Sequence, residues 1–162
     1  MVKVNFLGLR HSTELMIDKL NDNASIVNVA SLAGLGWPEA GPQIKNAINF
    51  RDFDNVEAFC DKNGIGNEGG RSYFFTKECL MVWTMMNRWT WRDRGIRMNC
   101  VSPGPVETPI LKDFLETLGE RAEEDMKIMD RPGRPDDIAP VIAFMCSPGS
   151  NWIRGANIPV DG

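Results

Sequence analysis

Tyr73 and Lys77 stand four residues apart, and Tyr73 is the only tyrosine in the 162-residue chain. On a helix that spacing stacks the two side chains on one face. An ammonium beside a phenol favours the phenolate, because an opposite charge stabilises the ionised form. A free tyrosine has a pKa of about 10; bringing it to about 7 takes about 4 kcal/mol of differential interaction. The run Tyr73-Phe74-Phe75-Thr76-Lys77 is therefore a candidate acid/base device. The same spacing also suits a half-exposed aromatic beside a solvated lysine, so the weight falls on the elements that must position the pair.

Residues 4–20 read as an amphipathic helix, with Phe6, Leu7, Leu15, Met16 and Leu20 roughly on one side. His11 lies on it and reads as a surface or boundary residue, since no carboxylate or cysteine is offered at a useful spacing. Residues 25–31 are a short β-branched run expected to be a strand buried on both faces. Gly34, Gly36, Pro38, Gly41 and Pro42 mark a loop, and residues 54–62 a short helix. Residues 72–93 form the longest helical pattern and carry the Tyr73–Lys77 pair. Residues 96–102 read as a second buried strand, stopped by Pro103-Gly104-Pro105. Thr108 before Pro109 is a helix start, with a hydroxyl N-cap and proline at the first helical position. Pro135-Asp136-Asp137 opens another helix, which Pro140 should bend. Residues 156–160 read as a third strand, with Pro159 suggesting an edge.

Strand, helix, strand, helix, strand is the grammar of a parallel sheet with crossover helices. Ligands bind beyond the carboxyl ends of such strands. Ser31 and Ser102-Pro103-Gly104 both fall at strand carboxyl ends, and the Tyr73 helix runs between those two strands. The three features converge on one rim.

Composition narrows the function classes. Hydrophobic residues make up 43% and charged residues 25%, ordinary for a globular domain. A net charge of −4 argues against nucleic acid or an anionic membrane as partner. Cys60, Cys79, Cys100 and Cys146 show no C-x-x-C spacing and lie far in sequence from His11, so no metal site is expected. Three of the four sit in apolar surroundings, and a reducing cytoplasm is the expected location.

With these residues in place, the chain resembles the short-chain dehydrogenase/reductase family. Val4-Asn5-Phe6-Leu7-Gly8 is similar to the family's asparagine-bearing helix start. Residues 26–34 are similar to its catalytic-serine strand, and Tyr73 to Lys77 to its Tyr-x-x-x-Lys. Residues 97–109 are similar to its nicotinamide-side loop. Arg131-Pro132-Gly133-Arg134-Pro135 and Val160-Asp161-Gly162 match its C-terminal part. Gly36-Trp37-Pro38 and the long stretch between Ser31 and Tyr73 resemble the group of coniferyl-alcohol and 3α-hydroxysteroid dehydrogenases/carbonyl reductases.

The resemblance implies an NAD(P)-dependent oxidoreductase that interconverts an alcohol and a carbonyl. Tyr73 would be the acid/base on the substrate oxygen, and Ser31 would donate a hydrogen bond to that oxygen. Lys77 would lower the Tyr73 pKa and bind the nicotinamide ribose, and Asn5 would hold a water linking Lys77 to solvent. Pro103, Gly104, Val106 and Thr108 would grip the carboxamide. Trp37 and Pro105 would face an aromatic or steroid-like substrate; Trp37 with Phe50 or Phe53 either walls that pocket or packs the 32–70 insert onto the body. The cofactor would be NAD or NADP, with NAD favoured by the group, and the protein a homo-oligomer associating through residues 135–162.

Against the family pattern, only four residues precede Asn5, and the strand, glycine-rich turn and helix that receive the cofactor pyrophosphate are missing. Gly64-Ile65-Gly66-Asn67-Glu68-Gly69 fits G-x-G-x-x-G as a string, but a helical segment precedes it where a strand is needed. The expected fold is therefore α/β: one partial Rossmann-like domain over 1–162, about three parallel strands with crossover helices, lacking its first βαβ units and carrying an insert at 32–70. The competing reading is a catalytically inactive fragment that acts only through association, with a sticky free edge on the 25–31 strand.

Overall fold

The computed structural model describes residues 1–118 and 126–162. Its centre is a three-stranded parallel sheet, β1 (Ser25–Val29), β2 (Arg97–Pro103) and β3 (Asn157–Val160), in the order β1-β2-β3. Ser25 pairs with Arg97 and Val29 with Val101; Cys100 pairs with Asn157 and Pro103 with Val160. The helices are α1 (Leu9–Met16), α2 (Gly41–Asn49), α3 (Val56–Lys62), α4 (Arg71–Met86), α5 (Leu111–Leu118) and α6 (Pro135–Cys146). A π-helical segment, Lys3–Gly8, leads into α1. Among the described residues no helix is long and apolar enough to cross a membrane.

The alternation of side chains along each strand builds two cores. Ile26, Met98 and Cys100 face one way and pack with Phe6, Phe75, Leu80 and Trp83 from the Lys3–Gly8 segment and α4. Val27, Val101 and Ile158 face the other way and pack with Ile138 and Met145 of α6. Helices thus cover both faces, and the fold is a Rossmann-like α/β sheet.

β2 is the central strand and is buried from Arg97 to Ser102. β1 differs from expectation: it is half-buried, because β2 pairs with only one of its edges, and Val29 is 45% exposed. The segment 32–70 is more helical than its glycines and prolines suggest. Gly41 and Pro42 open α2, where a missing amide proton costs nothing in the first turn.

Arg10 ties that segment to the body. It is fully buried. Its guanidinium donates to the carbonyls of Ala47 and Ile48 at 2.9 Å each and of Phe50 at 2.6 Å, which closes the C-terminal end of α2. Phe50 stacks on Phe59 with ring centroids 4.4 Å apart, and Phe53 meets His11 at 5.5 Å. Both phenylalanines therefore pack this segment onto itself and the body, the second of the two roles the sequence left open for them.

Candidate active site

Ser31 follows β1 and caps a short turn over Leu32–Gly34, its Oγ accepting the Ala33 amide proton at 3.2 Å. That leaves the hydroxyl proton free to be donated. Gly34 lets this turn lie against α4: a Cβ there would sit 2.8 Å from the Lys77 carbonyl oxygen and 2.8 Å from Met81 Cε. The left-handed pair Gly69 and Gly70, at φ of 55° and 72°, turns the chain into α4. Tyr73 and Lys77 then lie on the α4 face toward the carboxyl end of β1.

These elements enclose a cavity of about 210 Å³. Ser31, Tyr73 and Lys77 line one side, and Pro103, Gly104, Pro105, Val106 and Thr108 the other. Ile110 and Leu111 border it as well, a contribution absent from the sequence reading. Two large aliphatic residues directly after Thr108-Pro109, close to the Pro103–Pro105 turn, are the signal that would have found them. Ser31 and Tyr73 face one another on the same side of the cavity, and the Ser31 hydroxyl is placed to pull on the phenol. Lys77 Nζ donates to the Val29 carbonyl at 3.0 Å and stands 5.6 Å from the centre of the Tyr73 ring.

Electrostatics here depart from the simple expectation. Burial pushes the Tyr73 phenol above its ordinary value, and the hydrogen bond from Ser31 pulls it partly back. Burial also lowers the Lys77 ammonium. Burial therefore sets the direction of the Tyr73 shift, opposite to the one read from the Tyr73–Lys77 spacing, and favours the neutral phenol.

The other expected residues fall in different places. Asn5 lies half-buried in the Lys3–Gly8 segment packed on α4, and it is not among the described residues lining the cavity. Trp37, 36% exposed at the start of a short turn, is not among them either. Thr108 does not cap α5 as expected: its Oγ1 faces the Val106 carbonyl at 3.4 Å, and the helix begins at Leu111. The Gly64–Gly69 string follows α3, a helix, and so has the wrong context for a dinucleotide loop. Among the described residues no cluster of ligands suits a metal ion.

The arrangement has counterparts. The family model described as Enoyl-(Acyl carrier protein) reductase matches residues 58–162. The chain is 42% identical over 164 residues to a coniferyl-alcohol dehydrogenase of Pseudomonas sp., covering all of this chain and 64% of that protein. It is 35% identical over 171 residues to a 3-alpha-hydroxysteroid dehydrogenase/carbonyl reductase of Comamonas testosteroni, again covering all of this chain and 64% of that protein. It superposes on the crystal structure of a 3-alpha-hydroxysteroid dehydrogenase from Pseudomonas sp. complexed with NADH, with a TM-score of 0.68 and 26% identity over 86% of this chain and 55% of that one. The chain thus spans 64% of the length of these two curated relatives. Because the family match takes in α4 and the loop after β2, the part that builds most of the cavity, the chain belongs to the short-chain dehydrogenase/reductase family.

Proposed function

We propose that the chain supplies the proton-transfer half of an NAD(P)-dependent alcohol–carbonyl oxidoreductase. One observation carries the reading: Ser31 and Tyr73 line the same cavity, with the Lys77 ammonium 5.6 Å from the centre of the Tyr73 ring.

The residues fit the nicotinamide end of the cofactor. About 210 Å³, open to solvent, has room for a nicotinamide ring beside the reacting group of a substrate whose remainder lies outside it. Proline and valine give flat apolar walls, and Lys77 has donor capacity beyond its bond to Val29. The cofactor, when bound, exchanges a hydride with the substrate carbon. Lys77 would hold the ribose hydroxyls, and the 103–108 loop the carboxamide.

In carbonyl reduction, Ser31 donates a hydrogen bond to the substrate oxygen and holds it against Tyr73. As negative charge grows on that oxygen, the Tyr73 phenol gives up its proton. Alcohol oxidation runs the same path backwards. The neutral phenol favoured by burial is the form that donates. The role of Asn5 as a relay residue rests on the family resemblance. The substrate is an apolar alcohol or ketone, aromatic or steroid-like after the two relatives, bordered by Pro105, Val106, Ile110 and Leu111.

Segment 32–70 is read as an insert in one partial domain. The protein is placed in the cytoplasm, where its four free cysteines stay reduced. Homo-oligomer contact is placed on residues 135–162, where Phe144 and Trp152 are 48% and 98% exposed. A monomeric Stokes radius would contradict that contact.

The test follows reduced-nicotinamide absorbance with NAD or NADP and an aromatic or steroid alcohol. Tyr73→Phe should lower turnover at least about 100-fold without changing thermal unfolding. Equal turnover by this variant would overturn the role of Tyr73. Failure of the unaltered chain to bind either cofactor would overturn the reading for these 162 residues.

A further inference from the structure

The cavity wall formed by the loop after β2 is held from behind by a turn far along the chain. Val106 and Gly133 form an isolated parallel bridge. The Gly133 amide donates to the Pro105 carbonyl at 2.9 Å, and the Glu107 amide donates to the Gly133 carbonyl at 2.7 Å. Pro105 and Val106 both line the cavity. Whatever fixes Gly133 therefore fixes that wall.

One carboxylate shapes the Gly133 turn. Asp137 accepts two hydrogen bonds from the Arg131 guanidinium, at 2.7 and 3.0 Å. It also accepts the Arg134 backbone amide at 2.7 Å. Arg131 further donates to the Pro132 carbonyl at 2.8 Å. Asp137 thus grips both flanks of Gly133. It sits in the first turn of α6, where unpaired amides favour a carboxylate. The next residue, Ile138, is buried against the sheet and anchors the helix. The other link between the two segments, Arg134 to Glu107 at 3.9 Å, joins exposed side chains and contributes little.

We propose that Asp137 is a positioning residue for the cavity wall, acting through Gly133 on Pro105, Val106 and Glu107. Its effect on nicotinamide grip rests on the function proposed above. Its effect on the wall does not, and is measurable with no cofactor present.

The experiment is amide hydrogen exchange on the 162-residue chain and its Asp137→Asn variant. The amides of Glu107 and Gly133 should exchange at least about tenfold faster in the variant, while that of Cys100 in β2 keeps its rate. Unchanged protection at Glu107 and Gly133 would overturn the proposal. So would an equal loss at Cys100, which marks general destabilisation. Arg131→Gln breaks the same clamp without touching α6 and should give the same local pattern; a uniform or absent effect there counts against the proposal as well. If the chain binds NADH, Asp137→Asn should raise KM for the cofactor more than it lowers kcat. Failure of that arm with the exchange pattern intact would count against the cofactor assignment and leave the positioning role standing.

Discussion

The Lys77 ammonium donates a 3.0 Å hydrogen bond to the carbonyl of Val29, the last residue of β1. This bond ties the helix bearing Tyr73 to the strand that delivers Ser31. It makes the position of the proposed acid/base pair a property of the sheet rather than of a loop. It also gives Lys77 a structural role that can be separated from the proposed chemical one.

Lys77→Met tests that separation. Losing one hydrogen bond is offset by removing a charge that burial disfavours, so unfolding free energy should change by only about 1 kcal/mol. Nicotinamide binding and turnover should be lost. Urea unfolding together with a fluorescence titration of NADH checks both, and retained cofactor affinity would show that Lys77 is only a tether.

Gly34 is predicted to accept no side chain. A Cβ at this position meets backbone of α4 at 2.8 Å, and backbone cannot swing aside as a flexible side chain can. Gly34→Ala should destabilise by about 1–3 kcal/mol. Because the turn it belongs to carries Ser31 on its cap, activity should fall further than stability alone explains. A urea midpoint equal to that of the unaltered chain would contradict this account.

Arg10→Met should detach the 32–70 segment. The replacement keeps apolar bulk but leaves the carbonyls of Ala47, Ile48 and Phe50 without their charged donor. The expected cost is about 3 kcal/mol. Limited proteolysis should cut first within residues 41–66, ahead of any cut in α4. Resistance there equal to the parent would mean that stacking of Phe50 on Phe59 alone holds the segment.

Much of this architecture was legible in the sequence. The three strands are marked by β-branched and apolar runs, bounded by an Asn-Asp-Asn turn before β1 and by glycine or proline at β2 and β3, and parallel order followed from the helices between them. Tyr73, Lys77 and Ser31 announced themselves by spacing and by place at strand ends. What the sequence hid was long-range. Arg10 reads as one more charge on an amphipathic helix until its three carbonyl partners, 37 to 40 residues away, are seen. Gly41-Pro42 reads as a loop signal but opens a helix, because proline suits a first turn as well as a break. The direction of the Tyr73 shift was also hidden, since spacing reports the neighbouring charge and says nothing of burial.

Asp137 carries the acid-side prediction. The Arg131 guanidinium, and then the Arg134 amide, hold its carboxyl at about 2, below the ordinary 3.8. A pKa lower in the folded state means the carboxylate's contribution is complete above its ordinary pKa and lost as pH falls through about 2. The Arg134 charge adds a smaller pull in the same direction, while its own side chain lies 3.9 Å from Glu107. Carboxyl NMR should find Asp137 titrating at about 2, and Arg131→Gln should move that midpoint upward. A midpoint at the ordinary value in the parent would show that the clamp does not form.

Alkaline titration of the phenolate absorbance reads Tyr73 alone, because the chain has one tyrosine. Burial raises its pKa, so the folded state favours the neutral phenol, and that preference is lost as pH rises through the shifted midpoint. The parent should titrate above the ordinary value of 10.0, and Ser31→Ala should titrate higher still, since it removes a hydroxyl that pulls the phenol down. A Ser31→Ala midpoint equal to or below that of the parent would contradict the shared Ser31–Tyr73 site.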